Sequence, residues 1–224
     1  MNQIKYIIAY LSFLLLAVLS LALGGDQRDN IHQVNVLHSF GNNVNFTDGT
    51  ITNALRSLSS PNLKVEFILQ PGLWEICADI TIPDNVTLTI PSGTILHIND
   101  GLSLTINGSV KAGYYQIFSG KGVVKFGNQT ESVFPQWWKS NDHKYYNDAI
   151  QMALECGART VFLPADIYDI SISDSKNYAL KMYSNTSIKG ENRKSILRLS
   201  EVPQTKGVWD ASDLIVRSTS QRFG

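Results

Sequence analysis

Two pairs of adjacent aromatic residues are the part of this 224-residue chain best suited to contact a sugar. The pairs are Tyr114-Tyr115 and Trp137-Trp138. Neighbouring side chains of a strand point to opposite faces, so we expect one ring of each pair in the core and the other at the surface. An exposed flat ring can pack against the apolar face of a sugar. All four residues are therefore candidates for carbohydrate binding, and packing in the core is the alternative for each.

Carboxylates are the groups that polysaccharide-cleaving chemistry requires. Glycoside hydrolysis uses an acid and a base or nucleophile on the two sides of the scissile bond. Uronide lyases use a base, often with Ca²⁺ held by several carboxylates. The acidic pairs closest in sequence are Glu75 with Asp79 and Asp166 with Asp169. No two acidic residues recur with the strand repeat described below, so we expect these four to be solvated, and we identify no catalytic residue.

The cysteines and histidines do not indicate a metal site. Cys77 and Cys156 are too few for a disulfide framework; they can pair with each other in an oxidising compartment, or stay as two buried thiols. The four histidines are scattered without the spacing of zinc ligands. Gly120-Lys121-Gly122 is too short for a phosphate-binding loop. We therefore identify no metal and no cofactor, and Ca²⁺ would enter only if the protein were a lyase.

The strongest pattern in the chain is an eight-residue repeat. Apolar residues recur in three rows: Ile82, Ile90, Ile98 and Ile106; Ile80, Leu88, Leu96 and Leu104; and Ala78, Val86, Thr94 and Leu102. Turn-forming residues separate successive strands, as in Pro91-Ser92-Gly93. Short strands joined by short corners are typical of a coil of stacked rungs, with an antiparallel meander as the alternative. Three octads make one rung, which predicts that Ile106 lies directly over Ile82.

A longer unit occurs twice in the chain. Each copy starts with a short amphipathic helix, continues with a strand and a Pro-containing corner, and ends in further strands. The first copy has Ile51, Ala54, Leu55 and Leu58 at helical spacing before the strand 65–69; the second has Ala149, Ile150, Ala153 and Leu154 before the strand 160–163, with Gly157 ending the helix. A helix at the start of each stack would cover its open apolar end, which favours the coil over the meander.

The second copy resembles the N-terminal part of the pectate-lyase-like, right-handed parallel β-helix superfamily. The resemblance rests on Asp148-Ala149-Ile150, on Val161-Phe162-Leu163-Pro164-Ala165 with Tyr168, on the run 185–192 and on the run 196–200; residues 83–138 resemble the leader that precedes this domain in some relatives. It implies a mainly β fold, a right-handed parallel β-helix or β-solenoid with short capping α-helices. We expect an entry segment at 25–47, a first module at 48–132, a junction at 133–147 and a second module at 148–224.

The resemblance is less informative about activity, because the superfamily includes polysaccharide lyases, galacturonan hydrolases and phage tailspikes. The catalytic motifs of the galacturonan hydrolases are absent, and of the acidic loop that relatives carry before the helix only Asp142 and Asp148 match. In this superfamily the catalytic groups lie on later rungs, so we expect the second module to be incomplete. We therefore expect non-catalytic contact with polysaccharide. The alternatives are the N-terminal part of a lyase or glycoside hydrolase, and a structural adhesin-like or spike-like segment.

The first 24 residues predict an export signal. A basic start is followed by the apolar stretch Tyr6 to Leu23 and then by small and polar residues, which is typical of a signal peptide, with an uncleaved membrane anchor as the alternative. We expect a secreted, cell-surface or periplasmic protein. The 19 basic and 19 acidic residues form no long runs, which argues against a nucleic acid partner. The expected partners are a polysaccharide and a second copy or partner chain that covers the C-terminal rung.

Overall fold

A computed structural model describes residues 64–172 and 178–201, together with the short stretches 32–35, 46–47, 51, 55 and 215–217. Every described residue belongs to one compact unit, which lies within residues 31–224. The expected signal peptide or anchor lies outside the described residues, as does most of the entry segment. Among the residues that are described, no helix has the length and apolar character needed to cross a membrane.

The described part of the chain consists mainly of short strands. The strands are β1 His32–Asn35, β2 Phe46–Thr47, β3 Val65–Ile68, β4 Gly72–Ile76, β5 Ile80–Ile82, β6 Val86–Thr89, β7 Thr94–Ile98, β8 Ser103–Ile106, β9 Val110–Lys111, β10 Phe118–Gly120, β11 Val123–Phe126, β12 Ser132–Val133, β13 Thr160–Leu163, β14 Asp166–Ser171, β15 Leu180–Met182, β16 Ser187–Gly190, β17 Ser195–Glu201 and β18 Ile215–Arg217. The helix α1 spans Asn147–Glu155, and 3₁₀ turns span Pro135–Trp137 and Asn192–Lys194. Ile51 and Leu55 are helical, as expected for the first module.

The chain visits three parallel sheets in rotation. Sheet 1 has the strand order β1-β3-β6-β9, sheet 2 has β2-β4-β7-β10 and sheet 3 has β5-β8-β11. Consecutive strands from β3 to β11 thus pass from sheet 1 to sheet 2 to sheet 3 and then return to sheet 1. Every pairing among the described strands is parallel, which excludes the antiparallel meander for this region. The mainly β, parallel architecture is confirmed, and the rotation is compatible with a parallel β-helix.

The register confirms the rung length predicted from the octads. Ile82 pairs with Ile106 across β5 and β8, and Ile80 pairs with Leu104. The alternation of the octads is also observed, because Ile82, Ile90, Ile98 and Ile106 are all buried. The third predicted row departs at Ala78, which is exposed. Residues 77–79 form the corner between β4 and β5, where the side-chain alternation of a strand does not apply.

A second set of three parallel sheets follows. Its orders are β12-β13-β16, β14-β17 and β15-β18, so the strands from β13 to β18 again rotate through three sheets. Helix α1 lies between β12 and β13, so it precedes β13, as predicted, and it buries Ala149, Ile150, Ala153 and Leu154. Gly157, just past the helix, has a φ of 97°, a left-handed conformation that ends helices and favours glycine. This helix and the corners around it form the walls of the site described next.

Candidate functional site

The structure buries two of the four candidate aromatic residues, leaves a third half-buried and exposes the fourth. Trp137 is 1% exposed and Trp138 is 8% exposed, whereas Tyr114 is 59% exposed. Tyr115 is half-buried, and its hydroxyl donates a 2.7 Å hydrogen bond to the carbonyl of Ile90. The expectation of one inward and one outward ring therefore fits Tyr114 and Tyr115, but the tryptophan pair departs from it.

The tryptophans are both buried because their segment is not a strand. Pro135–Trp137 forms a 3₁₀ turn, in which neighbouring side chains do not alternate between two faces. Both indoles pack on the ring of Phe118, with ring centroids 6.3 Å and 5.1 Å away. The indole N–H of Trp137 donates to the carbonyl of Gly113 at 3.0 Å. Neither tryptophan presents a ring face to a ligand, and only Tyr114 does so among the four candidates.

The two cysteines are not joined by a disulfide. Cys77 is exposed and accepts a hydrogen bond from the side-chain amide of Asn99 at 3.4 Å, whereas Cys156 is buried at the end of α1. The thiol of Cys156 donates to the carbonyl of Ala153 at 3.0 Å. The alternative of two buried thiols is therefore right for Cys156 and wrong for Cys77, which lies at the exposed corner between β4 and β5.

The carboxylates of the described ladders do not face one another across strands. Asp169 faces Arg198, Glu75 faces His97, and Asp166 faces Ser195. Asp169 accepts two hydrogen bonds from the guanidinium of Arg198, at 2.5 Å and 2.7 Å, and one from the hydroxyl of Ser200. These bonds, above all those from the guanidinium, lower the pKa of Asp169 to about 2. Across these ladders each of the three carboxylates thus faces a basic or hydroxyl side chain and not a second carboxylate.

A cleft beside the start of α1 is the best candidate for a binding site. Its volume is about 410 Å³. The residues that line it are Asp142, His143, Lys144, Tyr145, Asn147, Asp148, Ser171, Tyr178 and Ala179. The lining combines two tyrosine rings with carboxylate, amide, hydroxyl and ammonium groups, so it offers both flat apolar surface and hydrogen-bonding groups.

The loop on one side of the cleft is held by a lysine. The Lys139 ammonium donates hydrogen bonds to the carbonyl oxygens of Ser140, at 2.9 Å, and of His143. It also lies 5.2 Å from the centre of the Tyr146 ring, a favourable position for a cation above an aromatic face. Burial, and to a lesser extent the Asp166 carboxylate, raises the pKa of Tyr146. These contacts give the loop a defined shape before any ligand arrives.

The opposite side of the cleft is held by the side-chain amide of Asn147. Its Nδ2 donates to the carbonyls of Ser171, at 2.8 Å, and Ala179, at 3.0 Å. Its Oδ1 accepts from the backbone N–H of Ser171 at 2.8 Å. One side chain at the first position of α1 thus joins the helix to two other parts of the wall.

The cleft was not predicted from the sequence as a site. The residues 141–148 were noted only because they depart from the acidic loop of the superfamily, and Asp142 and Asp148 are the two that match it. Tyr145 and Tyr146 form a further adjacent aromatic pair, which is the one sequence signal that could have indicated this site, whereas Asn147 and Tyr178 carry no such motif. Among the residues that the structure describes, no group of three or more His, Cys, Asp or Glu side chains could hold a metal ion.

Comparison of the chain with protein-family models, with curated proteins and with solved structures found no match. The resemblance to the pectate-lyase-like superfamily therefore rests on the residues quoted above and on the parallel sheets.

Proposed function

We propose that this chain is a secreted or surface-exposed protein with a right-handed parallel β-helix, which binds a polysaccharide in the cleft beside α1. Binding occurs without cleavage of the polymer. The observation that carries the proposal is the cleft of about 410 Å³ with two tyrosines and several hydrogen-bonding side chains in its lining. The assignment to the pectate-lyase-like superfamily belongs to the same proposal.

The sheet topology supports the helical part of this proposal. Two successive sets of strands rotate through three parallel sheets. In such a coil each rung covers the apolar side of the previous one, so that short strands suffice for a continuous core. A stack of this kind leaves corners and outer faces free for a long, repetitive ligand, which is the geometry a polysaccharide requires.

The chemistry of the cleft supports the saccharide part. Sugar rings combine an apolar C–H face with a rim of hydroxyls, and a binding site for them needs aromatic surface and bidirectional hydrogen-bonding groups together. Tyr145 and Tyr178 supply the rings, while Asp142, Asp148 and Ser171 supply acceptors and a donor. The ammonium of Lys144 lies 4.8 Å from the centre of the Tyr145 ring, so this ring is also held in place. The exposed Tyr114 is a second contact surface.

The proposal is tested by affinity electrophoresis and calorimetry with a panel of neutral and uronate polysaccharides. We expect at least one polymer to retard the wild-type protein without losing chain length. Tyr178→Ala should weaken binding about 5-fold, because a stacking contact contributes roughly 1 kcal/mol. Asp148→Asn tests the hydrogen-bonding rim of the cleft, and Tyr114→Ala tests the second surface separately.

Asp84→Asn is the matched control, since Asp84 is an exposed carboxylate at a strand corner that does not line the cleft. It should leave retardation unchanged. Retardation that survives both Tyr178→Ala and Asp148→Asn would exclude the cleft. Release of unsaturated or reducing ends from the polymer would exclude the non-catalytic part of the proposal.

A further inference from the structure

A column of three polar side chains crosses sheet 2 on its outer face. Glu75, His97 and Ser119 occupy matching register positions on β4, β7 and β10. All three are half-buried. His97 is the central member, and its Nδ1 lies 2.9 Å from the Oγ of Ser119. We propose that Ser119 is a nucleophile, that His97 is its general base and that Glu75 positions the imidazole, in a site that hydrolyses carboxylic esters.

The order of these groups is the one that nucleophilic catalysis requires. A serine hydroxyl is a weak nucleophile unless a base within about 2.6–3.2 Å takes its proton. The imidazole is the base whose ordinary pKa suits that task near neutral pH, and a carboxylate on its other side holds the ring and stabilises its charged form. Neighbouring parallel strands are about 4.8 Å apart, so Ser119 contacts the ring directly, whereas Glu75 lies beside it on the next strand and would reach it by a change of side-chain rotamer.

The reaction balances without any group from outside the site except water. Ser119 Oγ attacks the ester carbonyl carbon while its proton passes to His97 Nδ1. The bond from this carbon to the leaving alcohol breaks, and the imidazolium returns the proton to the alcohol oxygen. Water then attacks the acyl-serine with the same base, releasing the acid and the free hydroxyl.

The experiment uses the full chain with p-nitrophenyl acetate as the substrate and a fluorophosphonate as the serine-directed probe. We expect measurable ester hydrolysis and a covalent phosphonyl adduct that peptide mass spectrometry maps to Ser119. Ser119→Ala should abolish both. His97→Ala should lower kcat about 100-fold or more, the usual contribution of a general base. Ser187→Ala is the control, because Ser187 also faces a hydroxyl across a parallel ladder but has no imidazole beside it.

Glu75 is tested as a positioning residue. Glu75→Gln should lower kcat with little change in KM and shift the acidic limb of the pH–rate profile, and Glu75→Asp should recover part of the loss. A role in folding alone would change the melting temperature but not this profile. If the fluorophosphonate does not label Ser119 in the wild-type protein, the proposal is wrong. This outcome does not depend on the stability of any variant, because the labelling measurement needs no substitution. Saccharide binding in the cleft is independent of either result.

Discussion

At the scale of single residues, the two sets of parallel sheets share a hydrogen bond as well as a pattern of buried apolar residues. The indole N–H of Trp74 donates to the carbonyl of Gln70 at 2.9 Å, and the hydroxyl of Tyr168 donates to the carbonyl of Pro164 at 2.9 Å. In each case the acceptor is four residues before the aromatic side chain. Both rings are fully buried. A polar tip that satisfies a corner carbonyl explains why Trp and Tyr, rather than Phe, occupy these interior positions.

Tyr168 also shows how deeply the second copy of this bond is buried. Its hydroxyl accepts a 2.7 Å hydrogen bond from the Gln136 side-chain amide. Burial raises the pKa of Tyr168 to about 12, although the hydrogen bond from Gln136 has the opposite effect and lowers the pKa. The hydroxyl is therefore uncharged at neutral pH and keeps both of its hydrogen bonds.

The ion pair of Asp169 makes a pH-dependent contribution to stability. Its pKa of about 2 in the folded chain lies below the ordinary value of 3.8, so the contribution is present above pH 3.8 and is lost as the pH falls towards 2. We expect Asp169→Asn to lower the urea midpoint at about pH 6 and to have almost no effect near pH 2. Because the pair is exposed to solvent, the difference should also shrink in high salt.

The control for this prediction is Asp100→Asn, which removes an exposed corner carboxylate. It should change the midpoint little at any pH. If the urea midpoint of Asp169→Asn lies below that of the wild type by the same amount at about pH 6 and at about pH 2, the side chain stabilises the fold by its shape and not by its charge.

At the scale of elements, α1 is attached to the sheets by two amide side chains one helical turn apart. Besides the Asn147 contacts, Gln151 accepts from the backbone N–H of Lys181 at 3.0 Å and donates to its carbonyl at 3.2 Å. These amides take the place of a neighbouring strand and satisfy backbone groups that would otherwise stay open. The helix thus protects a strand edge in addition to covering apolar surface.

Replacing Asn147 by Asp tests this attachment. The variant keeps the acceptor for the Ser171 N–H, but it loses the donor to two carbonyls and places a negative charge beside them. We expect the free energy of unfolding to fall by about 2 kcal/mol, as for buried polar groups that lose their partner. Urea denaturation measures the change. Asn141→Asp, an exposed substitution in the preceding loop, is the control and should cost less than about 0.5 kcal/mol.

The corners impose a second restriction, which concerns glycine. A Cβ on Gly108 would lie 1.7 Å from the carbonyl oxygen of Val86 and 2.8 Å from that of Pro83. Both neighbours are backbone atoms of the preceding rung, so they cannot move without breaking the ladder. A Cβ on Gly101 would meet nothing within 4 Å, although its φ of 77° is a conformation that L-residues rarely adopt.

We therefore expect Gly108→Ala to destabilise the protein by more than about 3 kcal/mol, at the upper end of the range for overpacking. Gly101→Ala should cost only about 1 kcal/mol, the strain of its left-handed backbone. Thermal unfolding of the two variants side by side gives the comparison. Equal losses at both positions would mean that the rungs are separated more widely at Gly108 than the structure indicates.

The elements were largely predictable from the sequence, and the site was not. The octads predicted that Ile106 lies over Ile82, because strand alternation and rung length are local properties of the chain. The burial of Trp138 was missed, because a 3₁₀ turn after Pro135 replaced the expected alternation. The cleft was missed for a different reason: Tyr145 and Tyr178 line it from segments far apart in sequence, and no local pattern encodes the contact of Asn147 with Ala179 beside them.

At the scale of the whole molecule, stability in a stack of rungs depends on how many neighbours each rung has. The rung formed by β6, β7 and β8 has a parallel partner on both sides in all three sheets. The next rung, β9 to β11, is paired on one side only within the ladders that the structure describes, and on its other side two single backbone bonds join it to the chain, from Ile117 to Trp137 and from Phe126 to Cys156. Local opening of the rung β9 to β11 therefore costs less free energy than local opening of the rung β6 to β8.

This difference predicts the order of amide hydrogen exchange in the native protein. We expect the amides of residues 86–106 to exchange most slowly and those of β9 and β10 to exchange faster, because each opening breaks ladder bonds on one side instead of two. Exchange followed by mass spectrometry or NMR resolves these segments in the intact chain. The exchange rates of the amides in β14 and β17, which pair with each other in the second set of sheets, serve as an internal comparison. Uniform protection across both rungs would indicate that they open as one cooperative unit and that neighbour number does not set their stability.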